Sequence, residues 1–390
     1  MVTSAIMNTY GNRTTTLIKG EGAYVWDADD RRYLDAVSGI AVCGLGHCHP
    51  AVTEALCNQA NTLIHCSNLY NIEPQQALGD ALIDVSGMEK VFFSNSGAEA
   101  NEAAIKIARK YGNSKGIEDP QVITASGSFH GRTMATLTAT GNPKVKEGFT
   151  PLLSGFDHVP YDDIEAIKSA ATDSTVAVLV EPVQGEGGVH VPSEQYLPAL
   201  RELCDANGWL LMLDEIQTGN GRTGKFFAYQ HYSFLPDVVT TAKGLGNGVP
   251  IGACLTQGKA SEILQPGNHG STFGGNPLAT KAALAVINTL TNEKLIERAD
   301  VLGQAFIKGF EEQLSNESAV KDIRGKGLMI GIELDRDCAA LVEQAKEKGL
   351  LINVTAGNTV RLLPPLILSD EQAHTIIDTV SSLIKAFVAQ

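Results

Sequence analysis

Residues 91–111 read VFFSNSGAEANEAAIKIARKY, and this stretch sets the fold class. Val91–Ser94 is apolar and β-prone. Small residues follow, and a helical pattern starts at once. Ala100, Ala104, Ile107, Ala108 and Tyr111 form one apolar face. Glu99 and Glu102 come early, while Lys106, Arg109 and Lys110 come late, which suits the helix dipole. A short strand feeding a helix in this way is half of a βαβ unit. The same alternation recurs outward along the chain. Strands are expected at Gln121–Ala125, Thr175–Val180, Leu210–Leu213, Val238–Thr241 and Gly252–Thr256. A helix is expected over Ser193–Asn207. Strands apolar throughout, alternating with helices, predict an α/β domain with a mostly parallel sheet. Ligands of such sheets sit at the carboxyl ends of the strands.

The ends of the chain read differently. Ala23–Asp27 and Arg32–Val37 suggest a small sheet, and His49-Pro50 a helix start. Beyond Asn276 come long helices to about Glu312, then strands at Leu328–Leu334, Leu350–Asn353 and Thr359–Leu362. A closing helix opens on the capping box Ser369-x-x-Gln372. The expected division is residues 1–49 as an arm and small sheet packing with the C-terminal part, 50–275 as a large domain, and 276–390 as a smaller α+β domain.

Composition bounds the function. The chain has 390 residues, enough to bury a core without disulfide or metal staples. The net charge of −14 disfavours nucleic acid and anionic membrane as partners. No stretch approaches the roughly 18 apolar residues of a membrane span, and the N-terminus does not read as a secretory signal. Seven cysteines without framework spacing suggest free thiols in a reducing cytoplasm. Cys43, His47, Cys48, His49, Cys57, His65 and Cys66 cluster, yet they contain no Cys-x2-Cys pair. They read as thiols and a histidine turn, with no metal expected. Glycine, at 39 residues, exceeds the usual share of roughly 7% and is clustered, so the clusters merit scrutiny.

Four segments at strand ends carry chemistry. Ser94-Asn95-Ser96-Gly97-Ala98-Glu99 offers free backbone N–H groups at a helix start, an anion seat suited to phosphate. Leu213-Asp214-Glu215 ends an apolar strand in carboxylates, and a buried carboxylate needs a partner such as a cofactor's cationic nitrogen. Thr241-Ala242-Lys243-Gly244 places a lysine where desolvation lowers its pKa and frees the amine as a nucleophile. Ser128-Phe129-His130-Gly131-Arg132 supplies an aromatic face and a guanidinium that reads carboxylates. His130 is either a base or a packed loop residue. Gly219-Asn220-Gly221-Arg222-Thr223-Gly224 fits a dinucleotide fingerprint but lacks the helix and the downstream acid. It reads as a mobile loop beside the site.

A phosphate seat, an acid for a ring nitrogen, an aromatic ring and a desolvated lysine together suit pyridoxal 5′-phosphate. In this order they resemble the fold-type-I, class-III aminotransferases. Further matching segments are Tyr33–Asp35, Gly46–Pro50, Glu181–Gly188 and His269–Pro277, so the resemblance spans nearly the whole chain. It implies a large domain with a mostly parallel sheet and a smaller α+β domain. It also implies catalytic roles for Lys243, which bonds the cofactor and shuttles a proton, and Asp214, which keeps the ring nitrogen protonated. Ser96, Gly97 and Ala98 are implied at the phosphate, Phe129 stacked on the ring and Gln217 at its hydroxyl. Thr272 is implied to reach the phosphate of the other subunit, with Ser271 beside the substrate. The enzyme would then be a homodimer with shared sites.

Within the class the similarity is greatest to members that handle acetylornithine in arginine biosynthesis. That implies transfer of the δ-amino group of N2-acetyl-L-ornithine to 2-oxoglutarate, giving N-acetylglutamate 5-semialdehyde and glutamate. Succinyl-diaminopimelate is a further amine. Succinylornithine, ornithine or 4-aminobutyrate is the alternative donor, and a non-catalytic binding protein the remote one. His130 separates the chain from ornithine-specific members, which tend to carry tryptophan there. Arg132 is implied to hold the distal carboxylate, and Arg361 the one near the reacting carbon. Glu186 would mask Arg361 when a δ-amine enters, and Tyr10 would approach the substrate from the N-terminal arm.

Overall fold

The computed structural model describes residues 5–11 and 13–389. Its centre is a seven-stranded sheet in the order Lys90–Ser94, Gly252–Thr256, Val238–Thr241, Leu210–Asp214, Thr175–Val180, Gln121–Ala125, Phe156–Val159. Gly252–Thr256 runs antiparallel to both its neighbours, and the remaining pairings are parallel. All the interior strands are buried along their whole length, which is why they read as unbroken apolar runs. The edge strand Phe156–Val159 exposes the polar residues Asp157 and His158 at its middle, and that polarity hides it from a hydrophobicity reading.

The two sheet faces pack into separate cores. Leu210 and Met212 face the helix Gly97–Ser114, together with Val122, Leu179, Val238 and Cys254. Leu211 and Leu213 face the opposite core, with Ile123, Val178, Val239 and Leu255. Side chains alternate along a strand, so Asp214 shares the helix face with Leu210 and Met212. Thr240 shares it with Val238 by the same logic.

Two further sheets lie outside this one. Leu17–Glu21, Tyr24–Asp27 and Arg32–Asp35 form an antiparallel set, joined in parallel by the distant Leu350–Leu351. The small N-terminal sheet is therefore closed by the C-terminal part of the chain. Val320–Lys326, Met329–Leu334, Thr359–Leu362 and Asn353–Thr355 form an antiparallel sheet covered by the helix Leu295–Leu314, against which the helix Asp370–Val388 packs. The helix Pro50–Ala60 starts after His49, and the Ser369–Gln372 capping box is formed reciprocally at 3.1 and 3.0 Å.

The 219–224 glycine segment differs from its sequence reading. It is buried and tied down. The Arg222 guanidinium, 2% exposed, donates to the carbonyls of Leu328 (3.1 Å) and Pro364 (2.5 Å). Asn220 donates to Thr241 Oγ1 and the Ala242 carbonyl, beside Lys243. The segment is a packed joint between the central sheet and the C-terminal sheet.

Candidate active site

Every parallel strand from Lys90 to Thr241, except the edge strand Phe156–Val159, delivers a functional segment at its carboxyl end. The antiparallel strand begins at the same edge, with Gly248–Ile251 leading into it. These segments enclose a cavity of about 370 Å³. Its walls include Ser96, Gly97, Ala98, Phe129, Arg132, Glu186, Asp214, Gln217 and Lys243. Nine of the thirteen residues singled out from the sequence thus meet at one place.

The helix start is built as an anion seat. Ser96 caps it, its hydroxyl accepting from Glu99 N at 3.2 Å. The Glu99 carboxylate accepts from Asn95 N and Nδ2, both at 2.8 Å, and so fixes the turn. A Cβ on Gly97 would lie 2.7 Å from Ile216 Cδ1, so only glycine leaves this cradle open.

Asp214 is 3% exposed and heavily oriented. Its Oδ2 accepts from Asn101 Nδ2 at 2.7 Å and faces His130 Nδ1 at 2.8 Å, while its Oδ1 accepts from Ile216 N at 3.1 Å. Asn101 also donates to the His130 carbonyl and accepts from Thr240 Oγ1 at 2.7 Å. His130 is thus a buried partner of Asp214, and its Nε2 has no hydrogen-bond partner among the described residues. The sequence reading missed Asn101. Its place three and seven residues before Ala104 and Ala108, on the buried stripe, was the available signal.

Lys243 follows the apolar strand with a left-handed backbone (φ 38°), an unusual conformation for a lysine. Its amine opens on the cavity and makes no hydrogen bond or ion pair to a described residue. Burial pushes it below the ordinary lysine value, although the charge of Glu186 opposes that. Glu181, also in the wall, is pushed up to about 7 by burial, while it accepts from Phe129 N at 3.2 Å. Glu215 points away from the cavity and accepts from Thr218, Ala228 and Tyr229, tying down the loop after the strand.

Arg361 is 1% exposed and lies behind the cavity wall. Its Nη1 meets Glu186 Oε1 at 2.7 Å, and its Nε and Nη2 hold Asn353 Oδ1. Burial would raise the Glu186 carboxyl, but the Arg361 charge and hydrogen bond outweigh it and hold it below the usual range. Arg132 is exposed, lies 5.3 Å over the Phe129 ring and forms no ion pair among the described residues. Three residues lie elsewhere. Ser271 touches the cavity only through Asn95 (3.1 Å). Thr272 is exposed outside this chain's own cavity. Tyr10 is 81% exposed in the N-terminal arm beside Arg13, so the structure does not bring it to the cavity. Among the described residues no group of three or more His, Cys, Asp or Glu side chains could hold a metal ion, and no helix is long and apolar enough to cross a membrane.

The donor set fits pyridoxal phosphate on structural grounds. It combines a glycine cradle at a helix start, a buried carboxylate oriented by Asn101 and His130, and a desolvated amine with no hydrogen bond or ion pair among the described residues. The family profile described as aminotransferase class-III matches residues 6–384, and the chain belongs to this class of pyridoxal-phosphate-dependent transaminases. Among its relatives, an acetylornithine aminotransferase of Nitrosomonas europaea is 55% identical, covering 99% of this chain and 98% of that protein. One from Caldanaerobacter subterraneus is 51% identical over 97% and 98%. Among solved structures, an N-acetylornithine aminotransferase from Stenotrophomonas maltophilia is 36% identical, with TM-score 0.85 and 98% coverage of each chain. An ornithine aminotransferase from Toxoplasma gondii is also 36% identical, with TM-score 0.94 over 97% of this chain and 92% of that one. Backbone likeness therefore extends across substrate preferences, and the substrate must be argued from side chains.

Proposed function

We propose that the protein transfers the δ-amino group of N2-acetyl-L-ornithine to 2-oxoglutarate, as a cytoplasmic homodimer serving arginine biosynthesis. The observation carrying this reading is the pair of arginines. Arg132 stands free at the cavity, while Arg361 is closed off by Glu186. A δ-amine carries its carboxylate far from the reacting carbon and needs Arg132 alone. Glutamate carries a carboxylate on the reacting carbon and needs Arg361 as well. A carboxylate gate lets one cavity read both spacings. The full-length relatives named for acetylornithine support the choice of donor.

Bound pyridoxal phosphate supplies an electron sink next to the carbon that bears the nitrogen. The chain's own residues do the rest. Lys243 Nζ, its pKa lowered by burial, would hold the cofactor and serve as the base that moves the proton of the substrate carbon. Asp214, fixed by Asn101 and His130, would hold the proton on the ring nitrogen. Backbone N–H groups of Gly97 and Ala98, beside Ser96, would bind the phosphate. Phe129 would face the ring, and Gln217 would serve its hydroxyl. Ser271 and Thr272 serve the partner's site, which accounts for their position outside this one. Tyr10 is assigned to the substrate side of the assembled dimer.

The test is a donor panel with 2-oxoglutarate: acetylornithine, ornithine, succinylornithine and 4-aminobutyrate. Acetylornithine should give a kcat/KM at least about tenfold above ornithine and 4-aminobutyrate, equivalent to ~1.4 kcal/mol of transition-state binding. An inert acetylornithine beside an active ornithine or 4-aminobutyrate overturns the assignment.

A further inference from the structure

A second cavity, of about 560 Å³, adjoins the first. Phe129, Arg132 and Glu186 belong to both walls. Lys243 and Asp214 line only the first. Asn142, Val145, Val354 and Ala356 line only the second. The annex therefore opens beyond Arg132, away from the reacting amine. Its charged lining is limited to Arg132 and Glu186, and the Glu186 carboxylate is already engaged by Arg361 at 2.7 Å.

We propose that this annex is the subsite for the neutral N-acyl group of the amine donor, and that it discriminates against a free α-ammonium. The inference rests on the transaminase reading above. The acyl nitrogen of an N-acyl diamino acid sits on the same carbon as the carboxylate, two bonds from the group that Arg132 holds. Wherever Arg132 places that carboxylate, the acyl group must lie beside it, and the annex is the space on that side. An unacylated donor would place an ammonium there instead. It would meet the Arg132 cation and no free carboxylate to offset its charge. An amide carries no charge and escapes that cost. An acetyl group has three heavy atoms, so the annex has room for it several times over, taking roughly 30 Å³ per water-sized atom as the scale.

Glutamate needs only Arg132 and Arg361, so its half-reaction does not use the annex, and it serves as the internal control. Two substitutions fill the annex from its half-exposed loop, Val145→Trp and Asn142→Trp; a third, Val145→Asp, supplies a carboxylate. The holoenzyme's half-reactions are followed by absorbance with acetylornithine, ornithine and glutamate. N-acetyl-L-norvaline, which lacks the δ-amine, is measured as a competitive inhibitor. Filling should lower the acetylornithine half-reaction at least tenfold and raise the inhibitor's Ki at least tenfold, with glutamate unchanged. Val145→Asp should shift the ornithine-to-acetylornithine kcat/KM ratio at least tenfold toward ornithine. If glutamate reacts normally while both fillings leave acetylornithine and the Ki untouched, the annex assignment is overturned and the transaminase reading stands. If the unmodified protein shows no amino transfer from glutamate, the transaminase reading itself fails.

Discussion

Glu186 is the proposed gate between the two arginines. It spans Arg361 at 2.7 Å and reaches toward Gln217 Nε2 at 3.5 Å. Removing the carboxylate leaves Arg361 held by Asn353 but open to the cavity. Glu186→Ala should therefore raise kcat/KM for glutamate relative to acetylornithine by about tenfold. Steady-state kinetics with both amines test it, and an unchanged ratio sinks the gate. A second residue-scale device lies outside the site. His47 Nε2 meets Asp35 Oδ2 at 2.8 Å, linking the small N-terminal sheet to the turn before Pro50. The Asp35 hydrogen bond, with a contribution from the Cys43 thiol, pushes His47 up to about 10 from 6.5. A raised histidine pKa stabilises the fold fully below about 6.5, and the contribution fades as pH climbs through about 10. The Tm of the unmodified protein should thus exceed that of Asp35→Asn most at pH 6, and the gap should narrow by pH 10.5. A gap independent of pH refutes this account. Lys243, Asp214 and Arg132 were legible in the sequence because each is a polar residue closing or following an apolar strand. Asn101 was not, because one polar residue on an alanine-rich stripe looks like noise until the strand opposite is known to end in Asp214.

At the scale of elements, the strand–helix junction at Ser94–Ala98 shows how geometry forces a residue type. Gly97 faces Ile216 so closely that any Cβ must push its side chain by several tenths of an ångström. The Ile216 side chain belongs to the Asp214–Gln217 segment, so the displacement would reach both the phosphate seat and the ring contacts. Gly97→Ala should weaken pyridoxal-phosphate affinity by about tenfold or more, ~1.4 kcal/mol. Ile216→Val, one methyl shorter, should restore part of the loss in the double variant. Cofactor titration of the apoprotein measures both, and strict additivity of the two substitutions would rule out the contact as the cause. The elements themselves were read well where burial is complete on both faces. The edge strand Lys90–Ser94 was read, but three other edge strands were not. Leu17–Glu21 exposes most of its side chains, Phe156–Val159 exposes Asp157 and His158 at its middle, and Val320–Lys326 mixes charge with glycine, so none carries an apolar run. The Gly219–Gly224 loop was misread as mobile for a related reason. Glycines permit close packing as readily as motion, and the partners that fix this loop, Leu328 and Pro364, lie over a hundred residues away.

At the scale of the whole molecule, pieces distant in sequence assemble each unit. Leu350–Leu351 completes the N-terminal sheet, Arg222 reaches into the C-terminal part, and Arg361 reaches back to Glu186. We propose that the division into a large domain over 50–275 and a smaller unit made of both chain ends follows these links. The proposed shared site belongs to the same scale. Thr272 and Ser271 lie on a segment with Phe273 59% exposed, while Leu69 and Tyr70 nearby are also bare. A second copy that covered this surface could bring its Thr272 to the phosphate seat. Each site would then need Lys243 from one chain and Thr272 from the other. Lys243→Ala lacks the amine, and Thr272→Asp sets a carboxylate against the phosphate, so each variant alone should be nearly inactive. Unfolded together in equal amounts and refolded, they should regain activity. About half of randomly assorted dimers are mixed, and each mixed dimer holds one intact site, so about a quarter of the unmodified activity should return. A mixture no more active than the separate variants would mean that each chain completes its own site, and Thr272 would lose its assigned role.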